Sequence, residues 1–243
     1  MAVSNEAPAS IHNHILCSLP ATQYQRLLPQ LEPVELPLGK ILYEPYEPIQ
    51  HVYFPNEGVI SVVSMLESGV SIEVGVVGSE GMLGIPVVLG TMDEANRRSL
   101  VQIAGRGLRM RAETLRQEFK RGGRLHDLLL RYTHAFITQI SQTAACNRIH
   151  HIDERLARWL LACRDRVRSD RLNLTQEFIA EMLGTRRAGV TVAAGRLQEQ
   201  GVISYSRGKI LILNRRRLED FSCECYRIVR REFDRLDENG HHQ

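Results

Sequence analysis

Short apolar runs separated by turn residues fill the first half of the chain. They cover residues 40–43, 51–54, 58–65, 71–77, 100–103 and 107–110. The breaks between them hold glycine, proline and asparagine, as is typical of closely spaced antiparallel strands. Ser68 and Gly69 lie at the tip of residues 64–71, a segment with the composition of a hairpin turn. The pattern predicts an antiparallel β-sandwich or β-barrel between residues 34 and 110.

The spacing of apolar residues changes to steps of three and four after residue 124. This change predicts one helix over residues 124–150, about 40 Å long, with a single apolar stripe. The stripe consists of Leu125, Leu129, Tyr132, Phe136, Ile140 and Thr143. Such a stripe can pack against its own chain, but the position of the helix between a β-rich and a basic segment favours pairing with a second copy.

A second helix is predicted over residues 152–168, with Asp153 as its N-cap. Its apolar face carries Leu156, Trp159, Leu160 and Cys163. The domain boundary is expected around residues 150–153. This gives an N-terminal domain of helices and strands at 1–120, a long helix at 121–151, a basic domain at 152–220, and a C-terminal helix and tail at 221–243. Residues 237–243 are expected to be disordered.

The net charge of +3 is unevenly distributed along the chain. Residues 148–217 hold 15 Lys plus Arg against 7 Asp plus Glu, a local charge of +8 that leaves −5 for the rest. A basic block beside a mildly acidic remainder predicts that one domain binds a polyanion and the other does not. A solvated arginine-rich surface is the alternative.

The basic block contains two predicted short helices around a tight turn. Thr175 is a natural N-cap, and Glu177 lies in the first turn, where the helix dipole favours an anion. Gly184 lies where the first helix must end, and Thr185 is expected to cap the second. The inward faces hold Ile179, Met182, Leu183, Val190, Ala194 and Leu197. This arrangement predicts a helix-turn-helix.

The outer side of the second helix is expected to enter the major groove of double-stranded DNA with its N-terminal part. That side carries Arg186, Arg187, Ala188, Thr191 and Val192. Two predicted strands follow around a polar hairpin, in which Ser206, Arg207 and Lys209 are placed for phosphate contact. The pattern predicts a winged helix-turn-helix, and an ordinary helical hairpin with surface arginines is the alternative.

Nearly the whole chain resembles the Crp/Fnr superfamily, the catabolite-activator type of bacterial transcription regulators. The resemblance is strongest in the run LTQEFIAEMLGTRRAGVTVAAGRLQEQGVI, and in the N-terminal half it rests on Gly39, Gly58, Gly81 and Gly84. It implies an α+β fold: an N-terminal antiparallel β-roll of the cyclic-nucleotide-binding, jelly-roll type, a long dimerisation helix, and a C-terminal winged helix-turn-helix. It also implies a non-enzymatic homodimer that binds an inverted-repeat operator, with RNA polymerase as a further partner.

Matched position by position, the resemblance implies that Thr175 and Gln176 contact phosphates. It also implies that Arg186 and Arg187 form the polar start of the second helix of the motif, the recognition helix. Thr185 and Arg196 complete the expected DNA-binding set. Ala188 and Val192 stand where well-known members carry a glutamate and an arginine, so the operator is expected to differ from the best-known family sites.

The effector pocket departs from the family pattern as well. Cyclic-nucleotide binders hold the ribose with a Gly-Glu pair and the phosphate with an Arg-Ser pair, but here Ile85 follows Gly84. The loss of the ribose acceptor argues against a cyclic nucleotide and leaves anion binding open. The expected effector site consists of Gly84, Ile85, Arg97, Arg98, Ser99 and Ser141. An unidentified small molecule bound there would shift the population between two dimer states.

No metal and no cofactor are predicted. The five cysteines are an odd number without a CxxC pair, and Cys223 and Cys225 would point apart on one helix. Only Cys17 lies in the N-terminal region, so the four-cysteine iron–sulfur arrangement of the oxygen-sensing branch is missing. Haem stays open, although a lone histidine is more often structural than a ligand. The candidate ligands are His12, His14, His51, His126 and His134.

No apolar run approaches the roughly 20 residues of a membrane helix, and the N-terminus lacks the layout of a secretory signal, so a cytoplasmic protein is expected. Two other functions stay open. A cupin-like metalloenzyme would need two histidines and a carboxylate on neighbouring strands, where only His51 is available. A ligand-binding β-roll protein that regulates a protein partner would not need Arg187 for DNA.

Overall fold

The computed structural model describes residues 12–238. The N-terminal residues considered for a secretory signal lie outside this range. Of the tail expected to be disordered, residues 237–238 still belong to the last helix, and residues 239–243 lie outside the described part. No helix within the described range is both long and apolar enough to cross a membrane.

An N-terminal β-roll is built from two antiparallel sheets. Its strands are β1 (Glu32–Leu36), β2 (Ile41–Tyr43), β3 (His51–Pro55), β4 (Val59–Met65), β5 (Ser71–Val77), β6 (Arg97–Ile103) and β7 (Gly105–Arg111). The strand orders are β1-β7-β3 and β2-β6-β4-β5. The predicted hairpin joins β4 to β5, where Met65 pairs with Ser71 and Gly69 takes a φ of 81°.

The apolar pattern missed β1 and placed the start of β6 too late. Strand β1 lies at the edge of its sheet and contains Pro33 and two glutamates, so neither its composition nor its solvent-facing side shows the usual strand alternation. Strand β6 begins with Arg97 and Arg98, which are also polar. Both errors come from charged residues within strands, which are exposed in β1 and half-buried in β6.

Short helices and one long helix close the β-roll. They are α1 (His14–Cys17), α2 (Ala21–Leu27) with a 3-10 turn (Leu28–Gln30), α3 (Ile85–Val88), α4 (Ala112–Lys120) and α5 (Arg124–Ile149). They enclose a single apolar core in which Phe54, Ile60, Met82 and Leu115 are at most 1% exposed.

Helix α5 directs its predicted apolar stripe into its own chain. Leu125, Leu129 and Tyr132 are 0% exposed and Phe136 is 6% exposed. Gly81 permits this packing, because a Cβ at that position would clash with the Tyr132 ring. The expectation that this stripe pairs with a second copy was therefore wrong: the β-roll and the last helix of the chain already cover it.

The second half of the chain builds a smaller domain around a second core, to which Val63 of β4 also belongs. It contains α6 (Ile152–Val167), β8 (Arg171–Asn173), α7 (Gln176–Met182), α8 (Arg187–Glu199), β9 (Ile203–Ser206), β10 (Lys209–Ile212) and α9 (Arg215–Phe221). The three strands pair in the order β8-β10-β9, and helix α10 (Glu224–Glu238) then packs along α5. The whole is the predicted α+β architecture.

Helix α6 begins at a different cap from the one expected. His151 is the N-cap, and its backbone N–H donates to Glu154 Oε2 at 2.8 Å. Asp153 lies inside the first turn, so the prediction of Asp153 as the cap was wrong. The apolar face was predicted correctly, since Leu156, Trp159 and the other expected residues are buried.

A buried carboxylate joins the two domains. Glu73 of β5 is 6% exposed and accepts hydrogen bonds from Trp159 Nε1 of α6 and from Ser61 Oγ, both at 2.7 Å. Burial raises the pKa of Glu73 to about 7, even though the two hydrogen bonds and the charge of Arg158 act in the opposite direction. The contact between the β-roll and the basic domain therefore includes a carboxyl group whose ionisation destabilises the folded protein.

Three of the cysteines lie together in a small buried group apart from the two apolar cores: Cys146, Cys223 and Cys225. The expectation that Cys223 and Cys225 point apart was wrong, because their sulfurs lie within 4.8 Å of each other. Its premise was that Cys223 and Cys225 share one helix, but α10 starts at Glu224, so Cys223 precedes the helix and can turn toward the same point as Cys225.

Candidate nucleic-acid interface

The first helix of the predicted motif is held by its own cap and by the second helix. Thr175 Oγ1 accepts a hydrogen bond from the backbone N–H of Phe178 at 3.2 Å, as predicted. Gln176 Oε1 accepts one from Thr191 Oγ1 of α8 at 2.9 Å. The start of α7 and the outer face of α8 therefore form one continuous polar surface.

The turn between the helices ends α7 in a Schellman arrangement. Gly184 takes a φ of 57° and its N–H donates to Glu181 at 3.0 Å, while the N–H of Thr185 donates to Ala180 at 2.9 Å. Arg155 of α6 also donates to the Leu183 carbonyl at this end. Because Thr185 still belongs to the end of α7, the expectation that it caps α8 was wrong, and Arg186 takes the N-cap position.

Helix α8 separates a buried from an exposed side as predicted. Val190 and Ala194 are at most 2% exposed and Leu197 is 1% exposed. The expected outer residues are all exposed to solvent: Arg186, Arg187, Ala188, Thr191 and Val192. Val192 is 54% exposed although it is apolar. This face can offer cationic, hydroxyl and methyl groups together.

The wing lies against the start of α7. Arg207 and Gly208 form a two-residue turn between β9 and β10 with φ values of 48° and 77°, the geometry of a type I′ hairpin. The carbonyl of Gly208 accepts from the Leu174 N–H at 2.8 Å, and Tyr205 Oη donates to the Leu174 carbonyl at 2.8 Å. Ser206, Arg207 and Lys209 are exposed beside Thr175, on the side expected to contact phosphates.

Two arginines of the expected DNA-binding set differ in how they are held. Arg196 Nη1 pairs with Asp153 Oδ2 of α6 at 2.7 Å, so its guanidinium is engaged within the domain. Arg187 Nε lies 3.9 Å from Glu177 Oε2, and both side chains are at least 67% exposed. An ion pair with this distance and exposure contributes little to the stability of the fold, so the Arg187 guanidinium is free to bind an acceptor on another molecule.

Residues 154–221, which run from α6 to α9, match the family model described as Crp-like helix-turn-helix domain. The chain carries a Crp-like helix-turn-helix domain. The global nitrogen regulator of Nostoc sp. (strain PCC 7120 / SAG 25.82 / UTEX 2576) is 26% identical over 183 residues, which cover 72% of this chain and 82% of that protein.

Solved structures of Crp/Fnr regulators have the same fold. FixK2 from Bradyrhizobium japonicum matches with a TM-score of 0.67 at 17% identity, covering 79% of this chain and 98% of that one. A Crp/Fnr-family transcriptional regulator from Thermus thermophilus matches with a TM-score of 0.62 at 18% identity, covering 79% and 98%. The predicted resemblance is confirmed for the Crp-like helix-turn-helix domain and for the overall fold.

The β4–β5 hairpin touches the Crp-like helix-turn-helix domain directly. Ser71 Oγ donates to Glu181 Oε1 of α7 at 3.1 Å. A Cβ on Gly184 would come within 2.6 Å of Ile72 Cδ1, so glycine is needed there for close approach as well as for its positive φ. No local pattern in the sequence predicts this contact, because hairpin and turn are more than a hundred residues apart.

The structure brings together only part of the expected effector site. Gly84, Ile85 and Arg97 line a cavity of about 100 Å³ beneath α5, and Arg97 pairs there with buried Glu94 at 2.7 Å. Ligand pockets are usually about 300–1,000 Å³. The cavity is therefore small, and its one arginine already has an anionic partner.

The remaining effector candidates lie elsewhere. Arg98 points to the other face of β6 and pairs with Glu44 at 2.8 Å, because successive strand residues alternate between faces. Ser99 is 0% exposed, and Ser141 is exposed on α5. That Arg98 and Ser99 bind an effector stays a prediction. A larger cavity of about 310 Å³ lies between α6 and α10, lined by Arg166, Arg215 and Tyr226, which sequence reasoning missed.

The histidines considered as haem ligands have nearby polar groups. His126 Nδ1 lies 3.2 Å from Asp127, His134 Nδ1 lies 3.6 Å from Glu232, and His14 Nε2 lies 3.0 Å from Arg168 Nη2. Burial, together with the charge of Arg109, lowers the pKa of His51. These contacts favour structural roles.

Proposed function

We propose that this protein is a homodimeric transcription regulator that reads an inverted-repeat operator with two copies of α8. The observation that carries the proposal is the exposed row of Arg186, Arg187, Ala188, Thr191 and Val192 on α8, the second helix of the helix-turn-helix. A helix of this kind presents its N-terminal residues to base edges in the major groove. Acting on chromosomal DNA, the regulator would work in the cytoplasm.

Each group on this surface has a chemical role that fits DNA. Arg187 can make a bidentate contact to guanine, while the methyl groups of Ala188 and Val192 suit a thymine methyl. Thr175 and Gln176, together with Arg207 and Lys209 of the wing, are placed to contact phosphates. Base contacts from α8 would set the sequence preference, and phosphate contacts would set the register.

A second stripe on α5 supports the dimer. Leu130 is 45% exposed and Ile137, seven residues later, is 54% exposed. With His134, Ser141 and Ala144 they recur at steps of four and three, all at exposed positions of α5, with Ile137 also at the edge of the small cavity beneath the helix. This is the spacing of a coiled-coil seam. Two such helices side by side would place the recognition helices for half-sites about 34 Å apart.

An effector would act by changing the relative orientation of the domains. The β4–β5 hairpin rests on the turn between α7 and α8, so a shift of the β-roll would move the recognition helix through Ile72 and Ser71. This is a population shift between two dimer states. The effector is a small molecule of unidentified class, and RNA polymerase is the further partner that such a regulator would need.

Replacing Arg187 by alanine is expected to lower operator affinity by about 1–3 kcal/mol and to relax specificity at one base position. Arg106→Ala is the matched control, because Arg106 is also exposed but lies in the β-roll, paired with Glu57. The measurement is fluorescence anisotropy on an operator duplex selected with the wild-type protein. Equal affinities for both variants would mean that Arg187 does not read a base, as a β-roll protein that acts on a protein partner would require.

Operator selection itself tests the broader proposal. In a gel-shift screen over genomic fragments, the wild-type protein is expected to prefer an inverted repeat, with affinity that falls steeply as salt rises. Absence of any preference over non-specific DNA would contradict sequence-specific binding. The cupin-like enzyme receives no support from the described residues, where the potential metal-ligand group lies outside the β-roll.

A further inference from the structure

Three buried cysteines and one histidine converge where α5 ends and α6 begins. Cys146 lies in the last turn of α5, His150 directly follows that helix, and Cys223 and Cys225 flank the start of α10. The three cysteines are at most 4% exposed, and the His150 side chain is 14% exposed. One ligand atom from each of the four residues lies within 4.8 Å of all the others.

The distances fit a single tetrahedral metal ion. Cys146 Sγ lies 3.5 Å from Cys223 Sγ, and Cys225 Sγ lies 3.7 Å from His150 Nδ1. Zinc bonds of about 2.3 Å to sulfur and 2.0–2.1 Å to nitrogen place tetrahedral ligand atoms roughly 3.5–3.8 Å apart. An iron–sulfur cluster spreads its cysteines over several iron atoms and needs wider spacing. A disulfide would need the two sulfurs at about 2.05 Å.

The surroundings orient and stabilise the ligands. His150 Nε2 lies 3.1 Å from Glu224 Oε2, which would hold the proton on Nε2 and leave the Nδ1 lone pair facing the sulfurs. A carboxylate behind a ligating histidine is the usual outer partner of zinc sites. Arg158 is 8% exposed, and its Nε has no hydrogen-bond partner among the described residues.

We propose that Cys146, His150, Cys223 and Cys225 form a Cys₃His site that binds one Zn²⁺ ion. The thiol protons leave to solvent as the sulfurs coordinate the ion. Three thiolates and Zn²⁺ carry a net charge of −1, which the buried Arg158 offsets. The ion ties the end of α5 to the start of α10 beside residues 150–151, where the chain passes into α6. It therefore fixes the direction in which the DNA-binding domain leaves α5.

Metal analysis of the full-length reduced protein tests the site. After incubation with Zn²⁺ and removal of excess ion, we expect inductively coupled plasma mass spectrometry to find one Zn²⁺ per chain. Replacement by Co²⁺ is expected to give the visible spectrum of a tetrahedral site with thiolate charge-transfer bands. Cys225→Ser and His150→Gln are expected to weaken Zn²⁺ binding by more than about 100-fold, since loss of an outer partner alone costs 10- to 100-fold.

Cys17→Ser is the matched control, because Cys17 is exposed and far from the cluster in sequence. It is expected to bind Zn²⁺ as the wild type does. Competition between the wild-type protein and a chromophoric chelator measures the Zn²⁺ affinity without any variant. The proposal therefore stays testable even if Cys225→Ser fails to fold. Substoichiometric Zn²⁺, an octahedral Co²⁺ spectrum, equal loss in Cys17→Ser, or a Cys146–Cys223 disulfide in metal-free native protein would each overturn the proposal.

Discussion

Replacing Ile137 by glutamate is expected to convert the protein to a monomer and to lower its operator affinity about 100- to 10,000-fold. The loss is of this size because a monomer engages one half-site only, and the second half-site contact is no longer intramolecular. Ile137 is 54% exposed at the centre of the second α5 stripe, so a charge there can reach water in the monomer but would be buried against a partner helix in the dimer.

Analytical ultracentrifugation and anisotropy on the selected operator measure the two effects. Leu38→Glu is the control, since Leu38 is an exposed leucine in the turn after β1 and lies outside α5. That variant is expected to remain dimeric and to bind normally. A dimeric Ile137→Glu protein with full affinity would mean that the copies associate through another surface.

Local sequence patterns predicted most of the backbone features of the helix-turn-helix. The Thr175 cap, the Gly184 turn and the buried positions of α8 follow from spacing and from backbone preferences, and the structure has them where expected. Thr185 and Asp153 were misplaced as caps because several polar residues precede each helix. Which of these polar residues becomes the N-cap depends on the backbone hydrogen bonds around the helix start, and the amino-acid composition does not reveal those bonds.

Features that depend on distant segments could not be predicted in the same way. The dimer prediction was based on the more apolar of the two stripes of α5. A highly apolar stripe is also what packing against the β-roll requires, and the structure buries it there. The less apolar stripe around Leu130 and Ile137 is the one that stays exposed. The Cys₃His group is split between residues 146–150 and 223–225, so no local spacing rule detects it. The same holds for the contact between Glu73 and Trp159.

Replacing Glu73 by glutamine is expected to stabilise the protein at pH 8 by up to about 3 kcal/mol and to flatten its stability between pH 5 and pH 8. Glutamine can accept from Trp159 Nε1 and donate to Ser61 Oγ, so both hydrogen bonds of Glu73 have a replacement. It removes only the charge. The magnitude corresponds to the rise in pKa from 4.5 to about 7, at 1.36 kcal/mol for each pH unit.

The sign follows from proton linkage. The folded protein holds the Glu73 proton up to about pH 7, whereas the unfolded chain releases it near 4.5. Between these values the folded state binds more protons, so wild-type stability falls as pH rises and the loss is complete above about pH 7. Acidification through this window is therefore expected to raise the free energy of unfolding of the protein, whose β5 and α6 are joined by the Glu73–Trp159 hydrogen bond.

Urea unfolding at fixed ionic strength from pH 5 to pH 8 measures the effect as the difference between wild type and variant, which cancels the titration of the histidines. Glu67→Gln, at an exposed position in the β4–β5 hairpin, is the charge-matched control and is expected to keep the wild-type slope. If Glu73→Gln keeps that slope too, the Glu73 carboxyl is ionised at no cost in the folded protein. Its contact with Trp159 would then hold the two domains together equally well at every pH tested.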